Sequence, residues 1–156
     1  MTFVGRVESR SSSTSARGGP PGESDVQKLN PGRTAKILAV TGWSTLASGS
    51  LNLGVDDSVL HGLAGRTPTL IEDAAEVAYP PRFAHIPAMR RAYWYYRGQA
   101  TNRGVAANVL VRRAQVPVPG RVELFSEEPL RTILAVNDGD PLEVVILSED
   151  QAGDGA

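Results

Sequence analysis

Apolar and polar positions alternate most clearly near the two ends of the chain. Over Thr2 to Ser9, Phe3, Gly5 and Val7 alternate with Thr2, Val4 and Arg6, which is the period-two signature of a half-buried strand. Leu142-Glu143-Val144-Val145-Ile146-Leu147, entered through the turn Asp138-Gly139-Asp140, is the clearest β run. Between these lie several shorter signals. Ala35, Ile37, Leu38 and Val40 predict a helix over Thr34 to Trp43, with Thr34 able to cap its start and Gly42 to end it. The second half of Ser48 to Val55 alternates as a strand. Residues 56–80 are acidic and turn-rich, with one helical stretch over Leu70 to Val77. Tyr93 to Ala100 and Val105 to Arg112 read as two strands joined by the hairpin loop Thr101-Asn102-Arg103-Gly104. Arg121 to Phe125 is a further strand after the Pro-rich Val116–Gly120, and Glu128 to Leu134 makes one or two helical turns. Short strands with two small helices, and no regular βαβ alternation, predict a mainly β fold: a barrel with helical inserts.

Two segments stand apart from this pattern. Residues 10–33 form a long low-complexity loop, beginning Arg10-Ser11-Ser12-Ser13-Thr14-Ser15 and continuing through Gly18-Gly19-Pro20-Pro21-Gly22. Such a composition reads as a disordered linker or, because the stretch is anchored at both ends, as a ligand-binding loop. Residues 148–156 read as a flexible acidic tail. Residues 1–147 then form a single barrel domain, which suits a chain of 156 residues with 41% hydrophobic content.

Composition narrows the chemistry. The chain has no cysteine, which excludes disulfides, thiolate zinc sites, iron–sulfur clusters and cysteine nucleophiles. His61 and His85 are the only histidines, so a multi-histidine metal site is excluded as well. No apolar run approaches the roughly 20 residues of a spanning helix, and the N-terminus lacks the apolar core of a signal peptide. A cytoplasmic protein without membrane contact is the expectation.

The net charge of -1 conceals a segregation. From Val77 to Val122 there are eight arginines (Arg82, Arg90, Arg91, Arg97, Arg103, Arg112, Arg113 and Arg121) and no acid, which leaves -9 on the remainder. Tyr93-Trp94-Tyr95-Tyr96 lies inside this stretch. Arginines interleaved with aromatics fit a single-stranded nucleic-acid platform over the hairpin 90–113, or a pocket for a flat ligand with phosphates. They fit equally a wall whose aromatics are core and whose arginines face water. The near-neutral net charge counts against nucleic acid as a partner.

Walker-type loops, G-x-G-x-x-G and G-x-S-x-G are all missing. Two segments remain distinctive as an ordered pair. The first is Gly49-Ser50-Leu51-Asn52-Leu53. The second is Val122-Glu123-Leu124-Phe125, followed by Pro129-Leu130-Arg131 and Asn137-Asp138-Gly139-Asp140-Pro141 before the last strand. Together they resemble the archaeal CTP-dependent riboflavin kinases, whose fold is a cradle-loop β-barrel. The match spans residues 2–9 and 34–147 and is good at 49–55 and 122–146. The Leu-Arg and Asp-Gly-Asp segment also occurs in swapped-hairpin DNA-binding modules, where it is architectural.

The resemblance implies CTP as phosphoryl donor, Mg²⁺ as cofactor and a small-molecule hydroxyl as acceptor. It implies that Ser50 and Asn52 are the metal ligands; residues i and i+2 of a strand face the same side, so both reach one ion. It places the nucleotide on Arg10, Ser11, Ser12, Ser13, Thr14 and Ser15 and on Glu128, Pro129, Leu130 and Arg131. In the first of these loops, serines replace the family's glycines. Glu123 matches the acceptor-contacting glutamate, which orients the acceptor and is the candidate base. Gln115 stands where the family has Ser or Thr, predicting an acceptor other than riboflavin or a lost activity. Arg90, Arg91 and Arg97 are candidates for neutralising phosphate charge.

Overall fold

The computed structural model describes residues 1–8, 31–73, 92–115 and 120–147. Its strands are β1 (Thr2–Val7), β2 (Leu51–Gly54), β3 (Leu70–Glu72), β4 (Tyr93–Asn102), β5 (Val105–Ala114), β6 (Arg121–Phe125) and β7 (Pro141–Ile146). Its helices are α1 (Pro31–Thr41), α2 (Asp57–Ala64) and α3 (Leu130–Ile133). The strand order is β3-β4-β5-β6-β2-β1-β7, and a further β4–β7 pairing closes six strands into an antiparallel barrel. Long β4 makes this possible. Its first residues pair with β3 (Tyr95 opposite Leu70), and its later ones pair with β7 (Gly98 opposite Ile146).

The barrel interior collects the inward positions of each strand. Phe3 and Val7, Leu51 and Leu53, Tyr96 and Ala100, Val109 and Val111, Val122 and Leu124, and Leu142, Val144 and Ile146 form one core. The strand alternation read from the sequence is this inward set. Gly5 also faces inward, where an added Cβ would lie 2.5 Å from Leu53 Cγ and 2.8 Å from the Gly54 carbonyl oxygen. The interior has no room there for a side chain. Val59, Leu60 and Leu63 of α2 join the core at one end, while Leu130 of α3 joins it with Leu134 and Val136.

A second, smaller cluster lies outside the wall, where Ile37 of α1 packs on Tyr95, Leu110 and Phe125. A buried ion pair pins α1 in place: Arg33 Nε donates to Glu72 Oε2 at 2.7 Å and Nη2 donates to Oε1 at 3.1 Å. The Tyr95 hydroxyl donates to the same carboxylate at 3.1 Å.

Several boundaries differ from the sequence expectation. The first helix begins at Pro31, a proline suited to the first helical turn, so Thr34 is an interior residue and not the cap. Gly42 ends this helix with φ +76°, as expected. The low-complexity loop is correspondingly shorter, since residues 31–33 are helical. Residues 57–64, expected as turns, form α2. Over Leu70–Glu72 the expected helix is a strand, because its backbone pairs with Tyr93–Tyr95 and Glu72 pairs with Arg33. The hairpin loop contracts to a two-residue turn at Arg103 and Gly104, with φ +49° and +82°, so both strands are longer than expected. Positive φ at both positions gives the twist that matches the flanking strands. The remainder of the loop, residues 10–30, lies outside the described residues, as do Ser9, expected to end the first strand, and the tail at 148–156. Among the described residues no helix is long and apolar enough to cross a membrane.

Candidate functional site

Because Leu51 and Leu53 point into the barrel, Ser50 and Asn52 take the opposite, outer side of β2. On β6 the same logic turns Glu123 outward between buried Val122 and Leu124. The ladder then sets the neighbours: Asn52 lies directly opposite Glu123, and Glu123 directly opposite Arg112 on β5. Such pairs share a face, with Cβ atoms roughly 5 Å apart. Ser50 Oγ donates to Glu123 Oε2 at 3.0 Å. Arg112 Nη1 donates to both carboxylate oxygens at 3.3 Å. Arg112 is itself buried, its guanidinium carbon 3.6 Å above the Tyr93 ring and 5.6 Å from the Phe125 ring centre. The Glu123 carboxylate, partly open to solvent, is therefore held from two sides by donors that fix its orientation.

The exit of β1 is fastened to the same stretch of wall. The Glu8 N–H donates to the Asn52 carbonyl at 3.0 Å, and Arg121 Nη2 pairs with Glu8 Oε2 at 2.8 Å. Arg131 Nη2 donates to the Glu8 carbonyl and pairs with Asp138 Oδ1, each at 2.8 Å. The turn carrying Asp138 is held in turn by a Gly139 N–H bond to the Val7 carbonyl and a Val7 N–H bond to the Asp140 carbonyl. Residues from β1, β2, β6, α3 and the 137–140 turn thus meet where the chain leaves β1.

Of the residues singled out from sequence, the fold brings together Ser50, Asn52, Glu123 and, through Glu8, Arg131. Glu128 and Pro129 are exposed on the approach to α3. Leu130 is not: it is 4% exposed in the barrel core, so its side chain is a packing element and not a nucleotide contact. Gln115 is exposed beyond the end of β5, with its N–H on the Ala92 carbonyl at 2.9 Å. It stands three residues past Arg112 and is not brought to Glu123. Arg10, Ser11, Ser12, Ser13, Thr14 and Ser15 lie outside the described residues, as do Arg82, Arg90, Arg91 and His85.

The arginine-rich hairpin is used largely within the fold. Arg112 and Arg113 are 3% and 4% exposed, and their guanidinium faces cover Tyr93 and Trp94. Arg97 Nη2 donates to the Val40 carbonyl. Neither the solvated-face reading nor the platform reading anticipated this. Sequence reasoning also missed Arg112 as the partner of Glu123, and Glu8 with Arg121. The signal for these pairings is cross-strand register, which the sequence does not print.

Among the described residues no group of three or more His, Asp or Glu side chains could hold a metal ion. The Ser50 hydroxyl and Asn52 amide offer two neutral oxygens on one face, and Ser50 directs its proton to Glu123, leaving its lone pairs for a cation. Mg²⁺ keeps several waters and is commonly completed by substrate phosphates, so this donor set fits an ion that arrives with a nucleotide. No protein-family model matches the chain, and no curated protein matches it either.

Proposed function

We propose that the protein transfers a phosphoryl group from CTP to a hydroxyl of a small, flat or polyhydroxylated molecule, riboflavin or a relative of it. One observation carries this reading. Ser50, Asn52, Glu123 and Arg131, which the motif resemblance groups as metal, acceptor and nucleotide residues, come from three elements of the chain and are gathered around the β1 exit by hydrogen bonds and strand register. CTP as the donor, and Mg²⁺ as its companion, rest on the motif resemblance.

In this reading Ser50 and Asn52 hold Mg²⁺, which when bound neutralises phosphate charge. Glu123, its carboxylate oriented by Ser50 and Arg112, accepts the hydrogen bond of the acceptor hydroxyl and can take its proton. Arg131 anchors the chain where it enters the segment after β1. Nothing covalent is asked of the protein; its contribution is positioning and charge balance, which suffice for phosphoryl transfer. The test is to incubate the protein with CTP, Mg²⁺ and riboflavin or other hydroxyl acceptors, following CDP and phosphorylated product by HPLC. Acceptor-dependent CDP release that is lost in Glu123→Gln supports the reading. Absence of release with every acceptor overturns it, and salt-dependent binding of oligonucleotides in that event would assign the barrel to nucleic acid.

A further inference from the structure

The other end of the barrel carries a separate feature. β2 runs directly into α2, and the Val55 N–H bonds the Gly120 carbonyl just before β6, so α2, the start of β6, the end of β5 and the start of β4 share one end. Inside that end, Tyr96 of β4 faces Val111 of β5 in the core, and one step outward Trp94 lies opposite Arg113 on the same inner side. Arg113 is only 4% exposed. Its Nε donates to the Tyr96 hydroxyl at 3.1 Å, and its Nη1 donates to the carbonyls of Ala114 and Gln115 at 2.9 and 3.1 Å. Its guanidinium carbon lies 4.5 Å from the Trp94 ring centre and 5.8 Å from that of Tyr96.

All of these partners are neutral. Arg33 has Glu72, Arg112 has Glu123 and Arg121 has Glu8, yet among the described residues no carboxylate pairs with Arg113. A buried charge without a counter-ion is costly, and a position that needed only packing would be better filled by Leu or Met. None of the bonds above uses Nη2, so that edge of the fork remains to meet a ligand. The Tyr96 hydroxyl accepts from Arg113 and keeps its own proton to donate; burial, opposed by Arg113, raises its pKa above the ordinary 10.0 and keeps it neutral. At this end Trp94 is half-buried and Gln115 is exposed.

We infer that this end of the barrel binds a small organic oxyanion, a carboxylate or phosphate seated on Arg113 Nη2 beside Trp94. The site faces inward at the α2 end, whereas Glu123 faces outward, so it stands or falls independently of the proposed kinase reaction.

The chain has two tryptophans, so Trp43→Phe leaves Trp94 as the sole indole reporter. This variant is titrated with sodium benzoate, inorganic phosphate and chloride at constant ionic strength, following Trp94 fluorescence. The expected result is a saturable change with benzoate or phosphate and none with chloride. A response to benzoate alone identifies a flat carboxylate as the ligand class, and one to phosphate alone a phosphorylated compound. Arg113→Lys, which keeps the charge and loses the planar fork, should weaken binding about tenfold or more. Arg113→Met should abolish it, and circular dichroism checks that both variants are folded. If Arg113→Met does not fold, Arg113→Lys decides. No saturable response to either oxyanion, or an undiminished response in folded Arg113→Lys, overturns the inference.

Discussion

Glu72→Gln isolates the buried pair that fixes α1 to the barrel wall. The substitution preserves volume but leaves the Arg33 guanidinium, whose side chain is 1% exposed, without the bidentate carboxylate that it now contacts at 2.7 and 3.1 Å. Removing one partner from a buried ion pair costs about 3–5 kcal/mol, because the remaining charge loses its carboxylate in low dielectric. The Tyr95 hydroxyl also loses a charged acceptor for its 3.1 Å hydrogen bond, which adds about 1 kcal/mol to the same change. Against a total stability of about 5–15 kcal/mol for a domain, that is a large fraction. Urea unfolding, monitored by far-ultraviolet circular dichroism and tryptophan fluorescence, should show a lower midpoint with an unchanged slope. Arg33→Met should lose a comparable amount by stranding Glu72. The double variant Arg33→Met/Glu72→Gln should lose distinctly less than the sum, because no charge is left uncompensated. A loss under about 1 kcal/mol in Glu72→Gln, or strict additivity in the double variant, would refute the view that this pair is desolvated and coupled.

Gly5→Ala places a methyl group 2.5 Å from Leu53 Cγ and against the Gly54 carbonyl oxygen, which the β1–β2 ladder holds in place. It should cost about 1–3 kcal/mol in chemical denaturation. The Tyr96 pKa is raised by burial, partly offset by Arg113, so its proton binds the folded state more tightly. That contribution to stability is fully present below pH 10 and is lost as the pH climbs from 10 towards the folded value. Ultraviolet titration should show a late-ionising tyrosine that is absent in Tyr96→Phe. Arg131→Met cuts the 2.8 Å tie to the Glu8 carbonyl and the pair with Asp138. It should cost about 1 kcal/mol in stability and weaken nucleotide binding measured by calorimetry.

The barrel was legible where alternation had a single cause. Phe3, Gly5 and Val7, and Leu142, Val144 and Ile146, alternate because one side faces the core, and Arg121–Phe125 has the expected bounds for the same reason. The register was not legible, and it decides which side chains meet. Ser50, Asn52 and Glu123 could be named from their motifs, but Arg112 could not, since its role depends on lying opposite Glu123. β3 was misread because Glu72 reads as a solvated acid; it is buried, and the pair with Arg33, 39 residues away in sequence, permits this. α2 was misread because Asp56 and Asp57 mark a turn as readily as a helix start, and Val59, Leu60 and Leu63 reveal their common face only against a barrel. The hairpin turn was placed too wide because Arg103 adopts a positive φ that glycine or asparagine would have announced. Leu130 carried a motif identity that gave no hint of its burial.

The claim that Ser50, Asn52 and Glu123 form a nucleotide-dependent transfer site is tested most directly by thermal unfolding with CTP, CDP, ATP and GTP, each with and without Mg²⁺. Wild type is compared with Asn52→Leu, a change of similar volume that removes one oxygen on the outer face of β2 and leaves the core untouched. Ligand that binds the folded state raises the melting temperature in proportion to its occupancy. The account predicts the largest shift with CTP or CDP, a larger one with Mg²⁺, and loss of that shift in an Asn52→Leu variant that melts like wild type without ligand. Equal shifts with all the nucleotides, none at all, or an undiminished shift in Asn52→Leu would contradict it.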